Sequence, residues 1–170
     1  PIKMQAKKRC ATARIWTYVR DERPWDSQAP PAAWYKFSKN REGRHPSEHL
    51  ANYSGWIHAD GYTGFNDLFA KEAVHEMACM AHARRKFVDI FQSQQSQIAE
   101  EAIKRIALLY KVEKAARGKP PEERVALRQS DAKPVFDDLE TWLDAQLNRI
   151  SGKSELAKAI RYALGRMKKM

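Results

Sequence analysis

A chain of 170 residues with 43% hydrophobic side chains can bury the core of one domain, or of one domain carrying a large insertion, and is not a disordered tail. No apolar run approaches the roughly 20 residues needed to span a bilayer, which excludes a membrane-spanning helix. Lys and Arg number 31 against 21 Asp and Glu, a net charge of +10 that favours a polyanionic partner, because cations that neutralise phosphates release condensed counterions.

The basic excess lies toward the two ends. Residues 1–60 hold 11 basic and 6 acidic side chains and residues 151–170 hold 6 and 1, whereas residues 118–150 hold 5 and 7. The start at Pro1 reads as that of a fragment and shows no secretory signal. Cys10 and Cys79 are too few and too far apart for a disulfide framework, so a reducing cytoplasm is expected.

In chain order, residues 13–21 alternate, with Ala13, Ile15, Thr17 and Val19 on one face and Arg14, Trp16, Tyr18 and Arg20 on the other; the period of two predicts a strand. Three prolines interrupt the pattern before "AAWYKFS" resumes it, which predicts an antiparallel hairpin with a long loop. Pro46 suits the first position of a short helix. "GWIHA" predicts a third strand ending at Asp60, "TGFNDLFAKE" a helix capped by Thr63, and "AVHEMACM" a further strand.

Beyond Ala81 the periodicity is helical. Ile98, Ile103, Ile106, Leu109 and Tyr110 form one stripe that stops near Gly118, and "PEERVALRQ" predicts a short helix starting at its proline. Phe136, Leu139, Leu143, Leu147 and Ile150, with Trp142 beside them, line another helix; Leu156, Ile160, Ala163, Leu164 and Met167 line the last. The expected architecture is α/β and then all-α.

Five constellations bear on chemistry. Asp60 in "HADGY" is either the first half of an Asp-Gly turn or a carboxylate held at a strand end, where open α/β sheets place their sites. Gly61 and Gly64 would let a backbone or a phosphate come close. Arg84, Arg85 and Lys86, adjacent on a helix, fan over more than half its circumference, and read either as a solvated basic start or as phosphate contacts.

Cys79 and His82 make a C-x-x-H with no second pair to complete a structural zinc site. His45 and His49 are four apart, but Pro46 is expected to leave His45 outside the helix as its cap, so both read as surface histidines. Trp16, Tyr18, Trp34 and Tyr35 among basic residues could stack on bases, though strand aromatics more often pack a sheet.

At "GWIHADGYTGFNDL" followed by "CMAHARRKF", the chain resembles the insertion sequence 66 family of bacterial transposases, which have an RNase H-like DDE core. The resemblance extends to "RIWTYVRDERP", "IALLYKVEKAARG" and "LAKAIRYALGRM", nearly the whole length. It implies an RNase H-like mixed sheet over residues 1–95, with the first strand missing or truncated, followed by a helical insertion over residues 96–170.

The same resemblance implies that Asp60 is the second catalytic acid and a metal ligand. On this alignment the first acid is lost just before Pro1, where "PIKM" continues the family's motif, and the third, a glutamate, lies beyond Met170. Cys79 and His82 match a C-x-x-H found near the active site in several DDE families; Met80 stands where an aromatic is usual.

The activity implied is cutting and joining of transposon-end and target DNA with Mg²⁺ or Mn²⁺, with Arg84, Arg85 and Lys86 on backbone phosphates. It also implies a bacterial, nucleoid-associated protein, with self-association and element-encoded helper proteins as possible partners and no membrane. Carrying one acid of three, the chain alone is expected to bind no catalytic metal and cut no DNA. Without a full first strand, its fold is expected to be marginally stable unless residues 1–12 stand in. The competing expectation is a non-catalytic basic DNA-binding or helical interaction module.

Overall fold

The computed structural model describes residues 2–6, 9–25 and 27–170; Pro1 and the side chains of residues 2–6, 9–11 and 25, Cys10 among them, lie outside the description. Two compact units divide the chain, residues 1–77 and 78–170.

In the first unit the alternating stretch forms a strand longer than expected. β1 (Ile2–Ala6), β2 (Arg9–Arg20) and β3 (Ala32–Ser38) make a three-stranded sheet with β2 in the centre. Both pairings are antiparallel: Ile2 faces Ala13 and Ala6 faces Arg9, while Ile15 faces Phe37 and Tyr18 faces Trp34. The hairpin with its long loop is as expected, and residues 2–6 do contribute a strand beside β2.

Because side chains alternate across a strand, this register sorts the hairpin into two faces. Trp16, Tyr18 and Trp34 share one face and meet the rings of His45 and His49. Ile15, Val19, Tyr35 and Phe37 share the other and are exposed, Val19 at 68% and Tyr35 at 63%.

Helix α1 (Arg44–His49) begins two residues before Pro46, with Gly43 at its N-cap, so His45 lies inside the helix, contrary to expectation. Pro46 is tolerated there because the N–H groups of a first helical turn have no intrahelical acceptor to lose. β4 (Gly55–Ala59) pairs with β5 (Val74–Ala78) in a separate two-stranded sheet. The expected single mixed sheet is therefore present as two sheets among the described residues.

Thr63 does not cap a helix. Residues Thr63–Phe65 form a 3₁₀ turn closed by Phe65 N–H donating to the Tyr62 carbonyl at 3.1 Å, and α2 (Asn66–Phe69) continues from it. The cap position falls on Tyr62, whose side chain makes no capping bond.

The second unit is helical throughout. α3 (Met80–Gln94) and α4 (Gln97–Ala116) form a hairpin that reverses at Gln95, in the left-handed region at φ 51°, and restarts at Ser96, whose Oγ accepts from Ala99 N–H. α5 (Pro121–Leu127) starts at its proline as expected; a π turn (Arg128–Ala132) leads into α6 (Lys133–Leu147), and Ser154 caps α7 (Glu155–Met167).

Phe87, Ile106, Leu139, Leu143 and Ile160 are the buried centre of this bundle, with Ala83, Ala99 and Ala102 allowing α3 and α4 to approach closely. Ile98, Ile103, Phe136, Trp142, Leu147, Ile150 and Leu164 surround that centre half-buried, whereas Tyr110, read as part of the stripe, is 40% exposed. The chain leaves α7 so that the Lys169 carbonyl accepts from Ala78 N–H at 2.8 Å. No helix among the described residues is long and apolar enough to cross a membrane.

Candidate functional site

Asp60 follows β4 directly and is exposed, while Ala59 before it is buried. Its Oδ1 accepts the Tyr62 N–H at 3.0 Å, and Gly61 between them has φ +84°, a conformation that a side chain would strain. The two readings of Asp60 are thus compatible: the residue closes its own turn and ends a strand.

Tyr62 anchors that turn. Its hydroxyl donates to the Arg41 carbonyl, the Arg41 guanidinium lies 3.7 Å from its ring centroid, and Trp16 and Phe65 lie 6.4 and 5.7 Å away. The close approach expected of Gly64 is used by protein. A Cβ on Gly64 would lie 2.2 Å from Tyr62 Cε1, and one on Gly43 would lie 2.6 Å from the Gly64 carbonyl oxygen. Paired glycines therefore let the start of α1 press against the turn that carries Tyr62.

The histidines read as surface residues form part of the support. With His45 inside α1, its ring and that of His49 lie one turn apart at 6.2 Å. Asn40 Nδ2 donates to Glu42 at 2.6 Å, which turns Asn40 Oδ1 toward His45 Nε2, also at 2.6 Å, so Nε2 carries the proton. His49 Nδ1 lies 2.9 Å from the Tyr18 hydroxyl.

Burial, then the charges of Lys36 and His45, disfavour the His49 imidazolium, and burial pushes the Tyr18 phenol up to about 12. A neutral His49 thus accepts from a neutral Tyr18. The sequence signals for this network were the four-residue histidine spacing and the alternating aromatics of β2; Pro46 concealed the first.

The other named residues belong to the second unit. Cys79 is the extended N-cap of α3 and half-buried, its carbonyl accepting from His82 N–H at 3.1 Å; His82 Nδ1 is buried without a hydrogen-bond partner among the described residues. Arg84 is half-buried, with its charge reaching Tyr110, Arg85 is exposed, and Lys86 Nζ lies 4.4 Å from the ring centroid of Tyr162. The basic run does fan around α3.

Among the described residues no group of three His, Cys, Asp or Glu side chains gathers to hold a metal ion.

The sequence matches the family described as "Transposase IS66 family" over residues 1–170. It is 42% identical to the uncharacterized protein y4hP of Sinorhizobium fredii (strain NBRC 101917 / NGR234), over 97% of this chain and 33% of that protein. It is 37% identical to the uncharacterized protein y4jD of the same strain, over 93% of this chain and 32% of that protein. The chain spans about a third of the length of the curated relatives it matches. No solved structure matches it.

Proposed function

Because the chain belongs to the IS66 transposase family, we propose that it forms part of a DDE transposase that cuts and joins transposon-end DNA by metal-dependent phosphoryl transfer, with Asp60 as one of the acids. The observation that supports this reading is the position of Asp60, an exposed carboxylate at the end of β4 on a turn pinned through Tyr62. A carboxylate in such a place ligates an ion without reorganising the backbone around it.

An RNase H-like core needs one mixed sheet. Joined edge to edge through β1 and β4, the two observed sheets give the order β3-β2-β1-β4-β5, with the first strand central and the strand of Asp60 beside it. On this reading residues 1–95 belong to the catalytic core and residues 96–170 to its helical insertion.

The described residues do not fit a catalytic Mg²⁺ or Mn²⁺ by themselves, since such sites require several converging oxygen ligands and Asp60 is one. Asp60 therefore serves as a single ligand in a site completed by acids elsewhere. Arg84, Arg85 and Lys86 contact DNA phosphates, and Cys79 with His82 shapes the start of α3 near the DNA path.

The test is Asp60→Asn in a full-length family member carrying this segment, assayed for cleavage and joining of transposon-end DNA. Asparagine keeps an acceptor for Tyr62 N–H and removes the charge. Loss of about two orders of magnitude in rate, with DNA binding retained, is expected. Retained cleavage would reject the assignment.

A further inference from the structure

Helix α3 does not carry its basic run alone. α3 forms a hairpin with α4, Lys86 sits over Tyr162 on α7, and on α3 Arg84 is half-buried while Arg85 is exposed. One turn beyond Tyr110 on the same flank of α4 is Lys114, with Lys111 beside it, and both are exposed. Because α3 and α4 form a hairpin, Lys114 near the end of α4 lies toward the start of α3, where the basic run sits.

These cations differ from their neighbours in one respect. Lys104 pairs with Glu100, Arg105 with Glu101 and Asp138, Lys119 with Glu123 and Arg128 with Glu113. Arg84, Arg85, Lys86, Lys111 and Lys114 form no ion pair among the described residues. Charge left unmatched on one surface draws a polyanion; charge already paired does so far less.

We infer that Arg84, Arg85 and Lys86 of α3 together with Lys111 and Lys114 of α4 form a surface that grips the phosphate backbone of duplex DNA without reading its sequence, with Tyr162 as a positioning residue for Lys86. The inference rests on the reading of the basic run given above and extends it to a second helix. The duplex is favoured over a single strand because Lys86 covers the Tyr162 ring, and the phenol of Tyr110 alone does not make the row of rings on which unpaired bases stack.

The experiment titrates the 170-residue chain with short labelled duplexes of unrelated sequence over a range of salt concentrations. Five phosphate contacts give a slope of log affinity against log salt of about −4.5, and Arg84→Ala, Arg85→Ala, Lys111→Ala and Lys114→Ala should each weaken binding to all duplexes alike and flatten the slope by about 1. Lys104→Ala, whose cation is already paired, should change nothing. Tyr162→Phe should bind like the parent, and Tyr162→Leu like Lys86→Ala, with no further loss when the two are combined.

If Arg84→Ala and Arg85→Ala weaken binding but Lys111→Ala and Lys114→Ala do not, the extension to α4 is wrong and the basic run stands. If none of the four matters, both fail. Tighter binding to single strands that disappears in Tyr110→Ala would overturn the duplex-backbone assignment.

Discussion

The main-chain N–H of Tyr62 donates to Asp60 Oδ1 at 3.0 Å, so the acid that ends β4 also closes the turn that presents it. Asp60→Ala should cost about 1 kcal/mol of stability through loss of that bond, whereas Asp60→Asn, which keeps an acceptor, should stay within about 0.5 kcal/mol of the parent. Urea unfolding of the three proteins measures this; equal losses in both variants would assign the effect to the charge instead of the turn.

Gly64 is the other support of the same turn. A methyl group there meets the Tyr62 ring, which Arg41 and Trp16 hold in place, so Gly64→Ala should destabilise the first unit by about 1–3 kcal/mol. If the ring is the obstacle, the same substitution should cost clearly less in a Tyr62→Ala background, and a double-mutant cycle of unfolding free energies reads the difference. Strict additivity would locate the strain in the backbone contact with Gly43.

His49 gives the first unit a pH dependence of definite sign. Burial, with Lys36 and His45 nearby, lowers its proton affinity below the ordinary 6.5, so the unfolded chain protonates first on acidification. Stability contributed here is complete above about pH 6.5 and is lost as pH falls toward the lower value of the folded state. Thermal melts between pH 8 and pH 5 should show a decline that His49→Gln reduces; an unchanged decline would place its source at other groups.

In the helical unit, Leu143 of α6 is fully buried against the core that includes Ile106 and Ile160. Leu143→Ala should cost about 2–5 kcal/mol, because the close-packed bundle only partly closes the cavity, while Val125→Ala at an exposed position should cost far less. Helical circular dichroism followed through denaturation distinguishes the two.

The isolated 170-residue chain should not cut or join transposon-end DNA. Mg²⁺-dependent cleavage that vanishes in Asp60→Ala would show that the chain assembles a working site by itself.

The parts of the fold that were legible in the sequence are those with one dominant period. β4 and the core stripes of α6 and α7 follow from alternation or helical spacing because each buries one face against neighbours, whereas β3, exposed except at Ser38, follows from its pattern as the partner of β2. Errors arose where a local rule yielded to tertiary contact. Pro46 marks the first position of an isolated helix, but the close packing of Gly43 on Gly64 accompanies a start two residues earlier and brings His45 inside. Thr63 has the chemistry of a cap, yet the turn from Asp60 gives that place to Tyr62.

The position of Asp60 at a strand end was readable from residues 56–60. Its anchoring through Tyr62, Arg41 and Trp16 was not, since those residues lie up to 46 positions apart and pattern carries no distance between them.

The outward face of the β2–β3 hairpin carries Ile15, Val19, Tyr35 and Phe37, all exposed to at least 50%. Water bordering so much hydrocarbon makes dilution a structural variable. At low concentration the hairpin stays wet, and at high concentration or beside any other apolar surface the same side chains favour adhesion, more strongly on warming from the cold. Detergent added to the protein therefore acts on those four residues, whereas salt acts on the charges around them.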